Sequence, residues 1–212
     1  MNKLALYNLA LSLLDMKISD LQTQTKELTL LELNYGKVVS YCLKAWDFPF
    51  LVKMLVLTEV KEDADGYPIA WGKYQYGYTV PPDFSRAIRI NADERISYAY
   101  RFGKLWCNED NPELEYMPND LELDDDGNYT APNDFLALVA YQLALHVAPM
   151  LDPQSQAQSI AAQMYQLTLA SIIESETRSN NRPTNYESSN PWEGELVITS
   201  QAVRDAIIRG EI

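Results

Sequence analysis

The chain has 212 residues, 47% of them hydrophobic and 22% charged, and its 30 acidic against 17 basic side chains give a formal net charge of −13. That length holds one hydrophobic core with appendages, and the acidic balance excludes nucleic-acid binding by phosphate neutralisation and docking on an anionic membrane, since both need a basic footprint. The 14 tyrosines and 4 tryptophans exceed what a core alone requires and suit interfaces.

Met1 to Met16 reads as a short amphipathic helix started near Asn2, with Leu6, Leu9, Leu13 and Met16 on one face. Polar Lys17 to Lys26, with a capping pattern at Ser19 and Asp20, connects it to a second helix over Leu28 to Trp46. There Leu28, Leu31, Tyr35, Val38, Cys42 and Ala45 draw one apolar stripe, Thr25 is the expected N-cap, and Pro49 ends the run. Phe50 to Val60 is the end of a helix or a buried strand, and Glu59 to Gly66 a carboxylate-rich loop tip. Tyr74, Tyr76 and Tyr78 at spacing two predict a strand over Ile69 to Val80, stopped by Pro81-Pro82. Asp83 is read as capping a brief helical turn that carries Phe84 and Ala87. Ile96 to Cys107 alternates again as a strand, Leu114 to Met117 adds a short one, and Asp120 to Gly127 is a second acidic turn.

Asp134 to Ala148 predicts a helix capped by Asn133 and closed by Pro149. It is apolar nearly all round, with Phe135, Leu138, Val139 and Leu143 prominent, so these residues belong either to the core or to a contact between subunits. Asp152-Pro153 is read as the cap and first residue of a last long helix to about Thr177, with Ala157, Ile160, Ala161, Met164, Leu167 and Ile172 facing inward. The expected fold is thus mainly α: a bundle of about four long helices over residues 1–177, with a small antiparallel β insert at about 54–130. Residues 178–212 read as an extended arm, with few aliphatics over Ser179 to Trp192 and anchored by Trp192, Leu196, Ile198, Val203, Ile207 and Ile208, the last group on a short terminal helix. Such an arm binds outside its own subunit or folds back on its own core.

Little in the sequence points to catalysis. The single histidine, His146, lies in the most apolar helix, where a core or interface role outweighs that of a catalytic base. Gly72 and Gly77 sit in tyrosine-rich strand sequence without a phosphate-cradling pattern. Asp124, Asp126 and Asn128 have the opening spacing of a calcium loop, but Tyr129 and Phe135 stand where that loop needs glycine and glutamate. No catalytic residue, metal site or cofactor is expected. Cys42 and Cys107 lie in unlike contexts without ligand spacing and point to a reducing compartment. An apolar stretch broken at Asn8, Ser12 and Asp15 predicts no signal peptide, and no apolar run is read as reaching bilayer length.

The order of features resembles the head-to-tail adaptor proteins of short-tailed bacteriophages, also called tail tubular protein A or head-completion proteins. The residues that carry the likeness are the helix end Ala45-Trp46-Asp47-Phe48-Pro49-Phe50, the stretch Val80-Pro81-Pro82-Asp83-Phe84 running on through Arg86 to Ile90, and the paired helices from Phe135 and Pro153. It covers roughly Met1 to Thr177, while the acidic insert Asp120 to Gly127 and the long arm depart from the compact pattern. The resemblance implies a structural virion protein without enzymatic activity, made in the host cytoplasm. It would form a ring, usually of twelve subunits, beneath the portal protein and above a downstream tail or nozzle protein. Genomic DNA would be retained above it and ejected through its lumen without specific binding. By the same resemblance, Trp192, Leu196, Ile198, Ile207 and Ile208 would touch the portal, and the sheet insert would face the next tail component. An acidic lumen would repel phosphate and let DNA slide. The competing expectation is an acidic soluble binding module that mimics nucleic acid and occupies a basic partner.

Overall fold

Asn2 and Thr25 each turn the chain into a helix in the same way, by a side-chain oxygen that accepts the backbone N–H three residues on: Ala5 N at 2.9 Å and Leu28 N at 3.2 Å. The helices they open are α1, Lys3–Ser12, and α2, Lys26–Ala45. The computed structural model describes residues 1–60, 71–153 and 155–180. The chain divides into two units, Met1–Thr177 and Arg178–Ile212, and the architecture below belongs to the first.

The expectation of a mainly helical bundle is overturned. The fold is mixed, with four helices and two antiparallel sheets among the described residues. After α2 a single 3-10 turn at Pro49–Leu51 leads into seven strands: β1 Lys53–Val56, β2 Glu59–Val60, β3 Tyr76–Thr79, β4 Phe84–Ile90, β5 Ala99–Arg101, β6 Lys104–Cys107 and β7 Glu113–Pro118. Helices α3, Asn133–Leu151, and α4, Ala157–Asn180, follow. One sheet has the order β1-β7-β4 and the other β2-β3-β6-β5. Its strands span most of the stretch read as a small insert.

Several expectations fail for local reasons. Phe84 to Ala87 is strand, not a helical turn. Two register shifts against β7, between Phe84 and Arg86 and between Ala87 and Arg89, break the alternation that marks a strand in sequence. The stretch Ile96 to Cys107 is a hairpin whose two-residue loop, Phe102-Gly103, has positive φ at both positions (55° and 71°), the signature of a type I′ turn. Pro149 lies inside α3, which runs on to Leu151, and Asn133 is already its first residue. A proline near the end of a helix forfeits one hydrogen bond, and here Asp152 N still closes the last turn on Ala148 O at 2.9 Å. Asp152 therefore ends α3 instead of starting α4, which begins at Ala157. The loop tip read over Glu59 to Gly66 begins as strand β2, and the rest of it lies outside the described residues.

The main core is built on α3, which packs against both α1 and α2. Leu6, Tyr7, Ala10 and Leu11 of α1 are buried there, a face one step round from the expected one, because α3 approaches on the Tyr7 side and leaves Leu9 and Leu13 half-buried. From α2 come Leu31, Val38, Val39, Cys42 and Leu43, while Ala45 is exposed. A second, smaller core joins the sheets through Leu57, Tyr78, Ile90, Leu105, Cys107, Leu114 and Tyr116. At 19 residues α3 is long and apolar enough to cross a bilayer, contrary to the sequence reading, yet 56% of its most apolar window is buried within the chain, as in a core helix.

Candidate functional site

The two segments that carry the family resemblance, 46–50 and 81–86, meet in space where the helices join the sheets. Phe48 is fully buried and forms an aromatic cluster: its ring centroid lies 5.5 Å from Trp46, 5.5 Å from Phe50 and 4.9 Å from Phe135, the Trp46 and Phe135 contacts edge to face. Arg86 of β4 reaches the end of α2, donating to Leu43 O at 3.5 Å and Trp46 O at 3.4 Å and pairing with the Asp47 carboxylate. A cation is favoured there, since the last helical carbonyls lack partners of their own. Phe84 stacks in a tilted contact on Tyr100 at 4.9 Å and on Tyr116 at 5.9 Å. Pro81 lies half-buried at the turn before it, its carbonyl accepting from Phe84 N at 3.0 Å.

Beside this cluster Asp83 gathers an ion network. Lys53 contacts its Oδ2 at 2.5 Å, Tyr116 donates to its Oδ1 at 3.0 Å, and Lys53 also pairs with Glu122 at 2.5 Å. Burial pushes the Asp83 carboxyl up, but the hydrogen bonds from Lys53 and Tyr116 outweigh it and hold the group below the usual carboxylate range. For Lys53 burial acts downward, and its two carboxylate partners leave it raised. The hollow next to the network holds about 110 Å³, lined by Phe50, Leu51, Val52, Lys53, Pro118, Asp120, Glu122 and Thr130. Lys53 and Glu122 in its lining are already paired with each other and it admits little beyond water, so the arrangement fixes the strands to the acidic turn.

Phe135, Leu138, Val139 and Leu143 are all fully buried inside the chain's own core, so the apolar character of α3 needs no neighbouring subunit to explain it. His146 is exposed and not a core residue, with Gln142 Nε2 3.4 Å from its Nε2. The Asp124 carboxylate accepts the backbone N–H groups of Asp126 and Asn128, at 3.0 and 2.7 Å, and no group of three metal-ligating side chains occurs among the described residues. On α4, Ile160 and Leu167 face outward and Tyr165 turns inward in place of Leu167. Trp192, Leu196, Ile198, Val203, Ile207 and Ile208 lie outside the described residues.

Each core holds one buried thiol. Burial pushes Cys42 up to about 12 and raises Cys107 as well, against a weak contact from Cys107 Sγ to Glu109 O.

The surface residues that sequence reasoning passed over are apolar side chains left in water. Met54 and Val56 on edge strand β1 are each 60% exposed, and Phe102 at the β5–β6 turn is 80% exposed. Phe102 has a sequence signal, a glycine after an aromatic between two alternating runs, though the alternation on either side reads as one long strand. No family model matches the chain, and no curated protein matches it.

Proposed function

We propose that this chain is a structural subunit of a ring that joins a phage portal to the tail or nozzle below, with no catalytic role. The observation that carries the reading is that the two separated segments of the resemblance, Trp46 to Phe50 and Pro81 to Arg86, are joined by Arg86, which donates to Trp46 O and pairs with the Asp47 carboxylate. A shared junction is what a common architecture would leave in sequence. The exposed apolar residues of β1 and α4 add surface that suits partners. In this reading the arm after Thr177, through Trp192, Leu196, Ile198, Val203, Ile207 and Ile208, grips the portal. The sheet edge at β1 faces the downstream protein, and the acidic chain surrounds a lumen that passes DNA without holding it.

The test is assembly by mass. The full chain and a chain truncated after Thr177 are each mixed with the portal ring from the same source. Addition of the full chain in a fixed multiple, with loss of addition on truncation, is the expected result. If neither form adds, the adaptor reading falls; tight binding of a monomer to a basic protein would put the acidic binding module in its place.

A further inference from the structure

We propose that the tip of the β5–β6 hairpin is a socket for the acidic turn, Asp120 to Gly127, of a second copy of this chain, so that neighbouring subunits join head to tail. The proposal rests on the ring reading above and supplies its subunit contact. On β6, Lys104 and Trp106 point to the face opposite Leu105 and Cys107, which belong to the core, and the register places Arg101 directly across from Lys104 on that same outer face. Trp71 covers Trp106, with ring centroids 6.2 Å apart, and meets Phe102 edge to face at 6.4 Å. Lys73 lies nearby, its Nζ 5.2 Å from the centroid of the Tyr74 ring that stacks on Trp71. The rings of Trp71 and Phe102, laid over the buried Trp106 and Tyr74, give an aromatic floor beside three cations on a chain of net charge −13.

Two features of this tip work against the isolated chain. Arg101 and Lys104 are like charges at directly opposed positions, which repel, and among the described residues neither they nor Lys73 is paired with a carboxylate, whereas Lys3, Lys53, Arg86 and Arg89 all are. Phe102 occupies a left-handed conformation at φ 55° that a bulky side chain rarely adopts, and places its ring in water. Local rules broken together at one exposed point mark a surface built for contact.

The acidic turn has the complementary chemistry. Leu123 is 56% exposed, and the exposed Asp125 and Asp126 have no ion pair among the described residues. The Asp124 carboxylate holds the loop by its own backbone, and Lys53 ties Glu122 to β1, so the turn is presented already ordered. An apolar tip flanked by carboxylates fits an aromatic floor flanked by cations. The two patches differ from each other, so their pairing is heterologous and closes into a ring when the rotation allows. Single-stranded nucleic acid would also suit aromatics and cations, but the net charge repels a polyanion and would leave Leu123 uncovered.

The experiment mixes a Phe102→Cys chain with a Leu123→Cys chain, without portal, and adds a short thiol-specific bismaleimide; the native thiols are buried. The expected result is a mixed dimer in roughly tenfold excess over either self-linked dimer. It should be lost when Arg101→Glu and Lys104→Glu are introduced in the first chain, and regained when Asp125→Lys and Asp126→Lys are added to the second. Circular dichroism checks that each variant is folded, and all four charge changes are at solvent-facing positions. No excess of mixed dimer overturns the proposal, and if the wild-type chain still adds to the portal the adaptor reading survives it. A mixed dimer from a chain that does not add to the portal keeps the contact and removes the adaptor reading. Quenching of tryptophan fluorescence by a single-stranded oligonucleotide, without the mixed dimer, assigns the tip to nucleic acid instead.

Discussion

The helical core and the β5–β6 hairpin both use aromatic rings, to opposite ends. In the first, Phe48 and Phe135 are wholly removed from water and touch each other edge to face; in the second, Phe102 is held outward on a backbone that disfavours it. One arrangement is explained by the stability of the chain itself. The other is not, and the difference separates residues kept for folding from residues kept for contact.

Truncation breaks the comparison most directly. Phe48→Ala should lower stability by about 3–5 kcal/mol in urea or thermal unfolding, because it removes an aromatic from a filled core and leaves a cavity; a loss under about 1 kcal/mol would mean that the cluster relaxes and does not bind the helices to the sheets. Asp83→Asn should cost about 1 kcal/mol, discounted because the side chain is partly exposed. Its pH dependence has a definite sign. The Asp83 carboxyl is lowered in the folded chain, so its contribution is present above the ordinary carboxylate value of about 4 and is lost as the pH falls through the folded value. Lys53 is raised, so its contribution is present below about 10.4 and is lost as the pH rises through its folded value. Unfolding measured from neutral pH down to strong acid should therefore show the wild-type advantage over Asp83→Asn shrinking at the acid end, and a constant gap would remove the network from the account. The smallest effect should also have the opposite direction. Phe102→Asn should leave stability unchanged or raise it by about 0.5 kcal/mol, since asparagine tolerates the left-handed turn, while weakening any contact made by the tip. Marked destabilisation would show that Phe102 serves the fold after all.

How much of this was legible in the sequence follows from how local each feature is. The caps at Asn2 and Thr25 and the stripe of α2 are set within a few residues, and they read directly. The sheets are not local: Lys53 pairs with Tyr116 and Phe84 with Pro118. Bulged alternation along β4 conceals a strand in the sequence, and an aromatic at the β5–β6 turn makes two strands look like one, so the β content exceeds what the periodicity shows. Pro149 misled because a proline near the end of a helix forfeits a single bond. Of the candidate residues, Trp46 and Phe48 share the helical-core cluster while Asp83 and Phe84 pack among the sheets, and Arg86, which clamps strand to helix, stands in the sequence only as part of a stretch. No sequence pattern marks a cation that will meet the carbonyls of a helix end 40 and 43 residues earlier.

The two buried cysteines turn the molecule into its own probe. Cys42 sits in the helical core and Cys107 in the core between the sheets, each shielded and each raised, so neither reacts until its own surroundings open. Alkylation followed by mass spectrometry would then register two separate clocks in one unmodified chain. Equal rates would mean that helices and sheets breathe as one body; a faster Cys107 would mean that the sheets can loosen and re-form while the helices stay shut.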